Sequence, residues 1–318
     1  MTPSLTRLQT TSEQGPPMLA VRQAILRAVL YADMFDHAPS ASELYQMLDM
    51  SGISQGGFEE GLQKLQEEGA LLNYDERWVL AEREEIVQVW RRRQEHSARK
   101  WRAALRYSAW IRCLPFVRMV AVTGTLAVQS AEAGDDIDLF LITTPGRVWL
   151  ARALTILIVR CARLFGETLC PNYLIASDVL AMAERNLYSA RELAQMQPLY
   201  GAAWYAELCE QNRWVLEYLP NALADAQGRT LPLDRVAAPL RAFKHAGEWL
   251  LGGRLGAMLD RWEMQRKVAK LLKERTPKAP AEASFSPAQC KGHFEGHATR
   301  ILQRYQERVE ALEAAEQE

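Results

Sequence analysis

The sequence predicts an α/β core of the α+β kind with a small mixed sheet. It lies between an N-terminal module of three helices and a hairpin and a mostly helical C-terminal region. Three observations predict it. Residues 116–176 alternate strand-like apolar runs with turns and helices. Residues 19–68 carry apolar side chains at helical spacing and are followed by a short β-type pair. Beyond 178 the apolar period is again helical.

The chain has 318 residues, with 38 Lys and Arg against 39 Asp and Glu and a net charge of −1. That length suits two or three domains, and the whole-protein charge does not favour nucleic acid. Five scattered cysteines (Cys113, Cys161, Cys170, Cys209, Cys290) suggest no disulfide framework, so a reducing cytoplasm is expected. Met1 to Pro17 is polar, Pro-containing and without an apolar run. It reads as a disordered tail and not as a signal peptide. The most apolar stretch, Val148 to Phe165, is interrupted by Arg152, Arg160 and Arg163. A buried helix is expected there and no membrane span.

Residues 18–81 form the first module. Leu19 to Phe35 places Val21, Ile25 and Val29 on one helical face. Ser40 with Glu43 is a capping box for a helix over Ala41 to Leu48. Ser54 caps a third helix running through Phe58, Leu62 and Leu65 to Glu68, and Gly69 ends it. Ala70 to Leu80 then reads as a hairpin turning at Asp75-Glu76. Three helices and a hairpin look like a winged helix. Its third helix holds Glu59, Glu60, Glu67 and Glu68 against Lys64, a face that phosphates would repel. A structural or protein-binding role is therefore favoured over DNA reading.

Residues 82–114 form a connecting helix, rich in Arg and Lys between Arg91 and Arg112, with Trp90, Trp101, Tyr107 and Trp110 interleaved. Packed aromatics with solvated arginines are the simpler reading, and an RNA surface the sharper one. Pro115 ends it. The core, 115–178, has a strand at Phe116 to Val122 and a short helix at Leu126 to Ala133. A strand over Asp136 to Thr143 follows, then the apolar helix Arg147 to Phe165 and a strand over Thr168 to Ala176. Helices are expected at Asp178–Ala183, Ser189–Met196, Trp204–Cys209, Pro239–Leu250 and Leu255–Arg275, making up the region 179–275. Residues 276–318 read as a Pro- and Ala-rich linker, Thr276 to Pro287, and a charged last helix, Ala298 to Ala315.

The chemistry-bearing stretch is Val122 to Ile142. Asp136 and Asp138, two residues apart on a strand, project to one side, and adjacent carboxylates repel unless a cation lies between them. Gly124 admits a bulky anion close to the backbone, and Thr125 adds a hydroxyl. A phosphate cradle facing a metal-binding strand is an arrangement for phosphoryl or nucleotidyl transfer. Arg147 and Arg152, just beyond, can reach a triphosphate if their helix starts near the cleft. Cys290, His293 and His297 have zinc-like spacing but lack a fourth ligand nearby. The basic run Arg261 to Lys278 reads as a solvated helix face.

Gly124-Thr125, ten residues, then Asp136-Ile137-Asp138 between apolar neighbours resembles the signature of the DNA polymerase β-type nucleotidyltransferase superfamily. The resemblance covers about Phe116 to Ala176. It implies that Gly124 and Thr125 hold a nucleoside triphosphate and that Asp136 and Asp138 bind Mg²⁺ or Mn²⁺. It also implies transfer of a nucleoside monophosphate to a hydroxyl of a small molecule, RNA or protein. The family commonly has a third carboxylate on the next strand. Here that strand, Thr168 to Ala176, has Asn172 as its central polar residue. Sugar-nucleotide glycosyltransferases also use Asp-x-Asp, but after a nucleotide-binding α/β half that this chain lacks. Haloacid-dehalogenase phosphatases place Gly-Thr after the aspartates, and here it precedes them. The alternative from another class is a catalytically inactive nucleotide-binding regulator whose winged helix binds DNA or a protein.

Overall fold

The protein is described from a computed structural model, in residues 15–223, 230–274, 284–292 and 297–315. It is an α+β structure with twelve helices, a mixed six-stranded sheet and a separate two-stranded sheet among these residues.

The N-terminal module comprises α1 (Met18–Asp33), α2 (Ala41–Gln46) and α3 (Gln55–Glu67), then β1 (Leu71–Tyr74) and β2 (Arg77–Leu80). The periodic residues Val21, Ile25 and Val29 pack with Leu44, Leu48, Phe58, Leu62 and Leu65 into one core. The capping box is formed: Ser40 accepts from the Glu43 N–H, and the Glu43 carboxylate accepts the Ser40 N–H at 2.6 Å. The hairpin turns at Asp75 and Glu76, both with positive φ, as a two-residue turn matched to strand twist requires.

A long helix, α4 (Glu85–Ile111), leads to the main sheet. In chain order there follow β3 (Val117–Val122), α5 (Gly124–Ala127), β4 (Ile137–Thr143), α6 (Val148–Leu164), β5 (Leu169–Ala176), α7 (Leu187–Gln195), β6 (Gln197–Tyr200), α8 (Ala202–Gln211), α9 (Val215–Tyr218), α10 (Ala238–Leu251), α11 (Arg254–Glu274), β7 (Ser284–Ser286), β8 (Gln289–Lys291) and α12 (His297–Ala315). The strand order is β6-β3-β4-β5-β8-β7, with only the central β4–β5 pair parallel. Strand alternation divides β4 between two cores. Ile137, Leu139 and Leu141 join Tyr107 of α4 and Trp149 of α6. Phe140 and Ile142 join Leu193 of α7, Leu208 of α8 and Val215 of α9. Asp138 belongs by parity to this second face, the one α7 covers.

Several expectations are corrected. The segment 178–183 is turn and bend: Asn212 accepts the Met182 N–H and donates to the Leu180 carbonyl, both at 2.8 Å, and so replaces helical bonds. The short helix after Gly124 stops at Ala127, because Gln129 turns to positive φ and α4 takes over the polar groups beyond it. Ser97 accepts the Ala131 N–H at 3.0 Å, and Lys100 donates to the Asp135 carbonyl at 2.5 Å. The strand bearing the aspartates begins at Ile137, one residue later than expected. Three short strands, β6 and β7 at the edges and β8 between β5 and β7, were not expected, and β7 occupies part of the stretch read as linker. Residues 276–283 of that stretch lie outside the described residues. The last helix docks on the body: Tyr305 meets Tyr31 edge-on at 5.2 Å, and Arg308 pairs with Asp33 at 2.5 Å.

Arg93 joins the N-terminal module to the sheet. Its guanidinium donates to the Phe35 and Asp36 carbonyls at the end of α1 and to Ser130 Oγ, and it pairs with Glu132 at 2.8 Å. Part of the basic stretch of α4 is thus internal scaffolding and not a free surface. Replacing Arg93 with Ala is expected to cost about 1–3 kcal/mol, because two part-buried acceptors, the Asp36 carbonyl and Ser130 Oγ, lose their donor. Amide hydrogen exchange over 129–135 should accelerate selectively. Unchanged exchange there would refute this role.

Candidate functional site

β3 and β4 pair antiparallel, and the Thr123 N–H donates to the Asp138 carbonyl at 3.1 Å. This register sets Gly124 directly over the Asp138 side chain. Gly124 has φ +67, and a Cβ built on it would fall 2.7 Å from Asp138 Oδ2. The glycine is therefore required twice, for its left-handed backbone and for the space the carboxylate fills. On the other side, β5 pairs in parallel and brings Cys170 opposite Asp138, with its thiol hydrogen-bonded to the carboxylate.

Burial first, then the charge of Asp136, push Asp138 up to about 7. Asp136 is exposed just ahead of the strand. Burial, with Asp138 and Asp136 next, pushes the Cys170 thiol up to about 12. A third carboxylate completes the group. Glu192, on α7, is pushed up to about 7 by burial and by Asp138, and Lys291 on β8 opposes the shift. Lys291 is itself tied to Glu184 at 2.5 Å.

These groups face a cavity of about 710 Å³, within the range of small-molecule sites. Thr123, Gly124, Thr125 and Asp138 form its sheet side, and Asn172, Arg191, Glu192 and Gln195 line it from β5 and α7. The N-terminal module supplies the opposite wall through Tyr31, Phe35, His37, Glu43 and Met47.

Of the residues singled out in the sequence, Gly124, Thr125, Asp138 and Asn172 line this one cavity. Asp136 does not line the cavity but is close enough to Asp138 to act on its charge. Asn172 is the extra residue of a β-bulge against β4: Pro171 aligns with Leu139 and Tyr173 with Phe140, while on the β8 side the Asn172 carbonyl accepts the Gly292 N–H at 3.1 Å. A bulge re-aims its side chain. The Thr125 hydroxyl is already engaged, donating to Asp135 Oδ2 at 3.0 Å, and Asp135 also accepts the Glu132 N–H. In the free protein this hydroxyl thus helps hold the turn.

Arg147 is not at the site. It follows the far end of β4, stacks on Phe116 and donates to the Leu251 and Gly253 carbonyls, closing the C-terminal end of α10. Arg152 lies closer, near Cys170 and hydrogen-bonded to Cys290. Of the zinc-like set, Cys290 is buried on β8, while His293 lies outside the described residues. Among the described residues no group of three His, Cys, Asp or Glu side chains is arranged to hold a metal ion, and no helix is long and apolar enough to cross a membrane.

Glu192 and Arg191 belong to no motif, yet one signal was present. In Leu187, Ala190, Arg191 and Ala194, spaced i, i+3, i+4 and i+7, Arg191 takes an apolar position of the stripe. Comparison with protein-family models, curated proteins and solved structures gave no match.

Two substitutions test this geometry. Gly124→Ala is expected to destabilise the fold by about 1–3 kcal/mol and to displace Asp138. Asp138→Asn should act in the opposite sense in the free protein. With its pKa raised above the unfolded value, Asp138 favours the fold when protonated, and that contribution fades as pH rises through about 7. The Asn variant should therefore melt higher than wild type at pH 8, with the gap closing towards pH 5. A gap independent of pH would show that Asp138 is not a buried, strained carboxylate.

Proposed function

We propose that the protein is a Mg²⁺-dependent nucleotidyltransferase, its sheet a nucleotidyltransferase core and its N-terminal module a winged helix that roofs the site. The observation that carries the proposal is the packing of Gly124 onto Asp138 at the floor of a nucleotide-sized cavity, with Asp136 and Glu192 beside it. The carboxylates fit a divalent cation. They are buried or crowded enough to repel one another, and Mg²⁺ commonly takes one or two protein carboxylates, with phosphate oxygens and water completing its shell. Asp136 and Asp138 would hold it. Bound there, the ion supplies neutralisation of the charge that develops on the phosphates.

The chain's own groups account for the remaining work. Gly124 presents no side chain, so a phosphate can approach the β3–α5 turn closely. The acceptor's hydroxyl oxygen forms a bond to the α-phosphorus, the bond between that phosphorus and the bridging oxygen breaks, and pyrophosphate leaves. The hydroxyl proton passes to the Glu192 carboxylate. A carboxylate titrating near 7 is matched to that task, whereas one at the ordinary value would be a weaker base. Asn172 offers an amide to the nucleotide or acceptor from its bulge.

The position of the N-terminal module supports an internal role over DNA reading. Its α1 and α2 supply a wall of the cavity, and the one lysine of its third helix, Lys64, is paired with Glu60. A regulator that binds nucleotide without turnover is the second reading, favoured by Asn172 standing on β5 where the nucleotidyltransferase superfamily commonly has a third carboxylate.

Incubation with α-³²P-labelled nucleoside triphosphates, Mg²⁺ or Mn²⁺ and a cell extract is expected to label an acceptor, and Asp136→Ala with Asp138→Ala should abolish the transfer. Glu192→Gln should lower the rate by roughly 10²–10⁴ while sparing nucleotide binding, and should remove a rise in rate through about pH 7. Nucleotide binding with no label transferred under any condition would favour the regulator.

A further inference from the structure

On α7, next to Glu192, the cavity is lined by a buried cation that forms no ion pair among the described residues. Arg191 is 4 % exposed and lines the cavity. Among the described residues it has no ion-pair partner. Its Nε has no hydrogen-bond partner, and Nη2 donates at 3.3 Å to the Met47 carbonyl. The guanidinium lies over the Tyr31 ring at 3.9 Å, so both contacts come from the N-terminal module and not from the Gly124 side.

The nearby carboxylates are committed elsewhere. Asp49 receives Arg27 at two oxygens, at 2.6 and 2.8 Å. Glu43 takes Arg77 at 2.8 Å and the Ser40 N–H at 2.6 Å. Glu192 responds to Asp138 and Lys291. His37, which lines the same cavity from the N-terminal module and is 7 % exposed, has a buried Nδ1 without a hydrogen-bond partner. A buried charge left unpaired is costly, and an apolar side chain of similar size would serve packing better. What repays such a guanidinium is an oxyanion delivered by a ligand, for which its planar fork is suited.

We propose that Arg191 is the anion-binding subsite for the second substrate, which is therefore a small hydroxyl compound carrying a phosphate or carboxylate group. The assignment of the anion to the acceptor rests on the nucleotidyl-transfer reading, in which the nucleotide's phosphates lie at Gly124 and the aspartates. The existence of the subsite does not. Like charges repel across the cavity, so an acceptor anion is directed to Arg191 and away from the acidic floor. Its hydroxyl then points towards Glu192, the next residue on α7.

The test is a crossed binding experiment on the full chain. Inorganic phosphate and, separately, acetate are titrated by calorimetry and by thermal shift. A non-hydrolysable ATP analogue with Mg²⁺ is titrated in parallel. Wild type should bind at least one of the two anions. Arg191→Met should lose that binding tenfold or more, keep the nucleotide, and melt no lower than wild type in the absence of anion, since an unpaired buried charge has been removed. Asp138→Asn should show the reverse, with anion binding kept and nucleotide lost.

Absence of anion binding in wild type, or its survival in Arg191→Met, overturns the subsite. Loss of both ligands in Arg191→Met overturns the acceptor assignment and gives the guanidinium to the nucleotide's phosphates. Nucleotide binding unaffected in Asp138→Asn defeats the transferase reading while leaving the subsite to the anion titration. If Arg191→Met fails to fold, Arg191→Lys decides. It retains charge but not the fork, and undiminished anion affinity in it refutes a fork-held oxyanion. Preference for phosphate or for acetate identifies the acceptor's charged group.

Discussion

Everything at the cavity floor depends on one close approach, that of the Gly124 backbone to the Asp138 carboxylate. The contact leaves no room for a Cβ, and a left-handed φ holds the backbone in place. Strand pairing on both sides fixes it: Thr123 is hydrogen-bonded to the Asp138 carbonyl, and Cys170 lies opposite on β5. Asp138 is thereby held at the end of a central strand with little freedom to turn into solvent. Its pKa rises because it cannot escape burial or the field of Asp136. The arrangement is held between the large apolar cores above and below the sheet.

Two helices convert that strained carboxylate into a site. From one side α4 grips the loop between β3 and β4 with Arg93, Ser97 and Lys100, so the acidic segment 132–138 is tied to a 27-residue helix. From the other side α7 covers the sheet face to which Asp138 belongs and brings Glu192 towards it. Because Arg93 also holds the end of α1, the N-terminal module is fastened to the same loop that carries the aspartates. The cavity is then a gap between two bodies joined at its rim. Docking of α12 against α1 and α7 adds a second tie between them.

Local order was legible in the sequence, and long-range convergence was not. The N-terminal helices, their Ser40 and Ser54 caps and the Asp75-Glu76 turn follow from spacing and cap chemistry within a few residues. The two central strands and Gly124 follow from apolar runs broken by a tight turn. Arg147 was misplaced because proximity in sequence to Asp138 says nothing about which end of β4 a residue follows. A seven-residue strand separates the two, and Arg147 leaves from its far end. β6, β7 and β8 are three or four residues long, too short to show a period of two. Asn172 stands out in the sequence for its polarity alone, while the bulge in which it lies is announced only by Pro171. Glu192 lies more than fifty residues beyond Asp138, and no spacing rule connects a helix to a strand across a sheet face.

The charge arrangement of the cavity is the part of the structure that stability alone explains least. Asp138 and Glu192 are carboxylates raised to about 7 by burial, and Arg191 is a guanidinium driven below its ordinary value by the same cause. A chain under pressure only to fold would replace each with an apolar or amide side chain and gain from it. The opposite signs do not neutralise one another directly. The acidic pair faces the sheet side, and the cation faces Tyr31 and Met47. On the proposed function, a ligand of matching polarity would relieve that separation, with a cation near the aspartates and an oxyanion near Arg191. Specificity then comes less from the shape of the cavity than from the spacing of its two unsatisfied poles, since a ligand that satisfies only one leaves the other buried and unpaired.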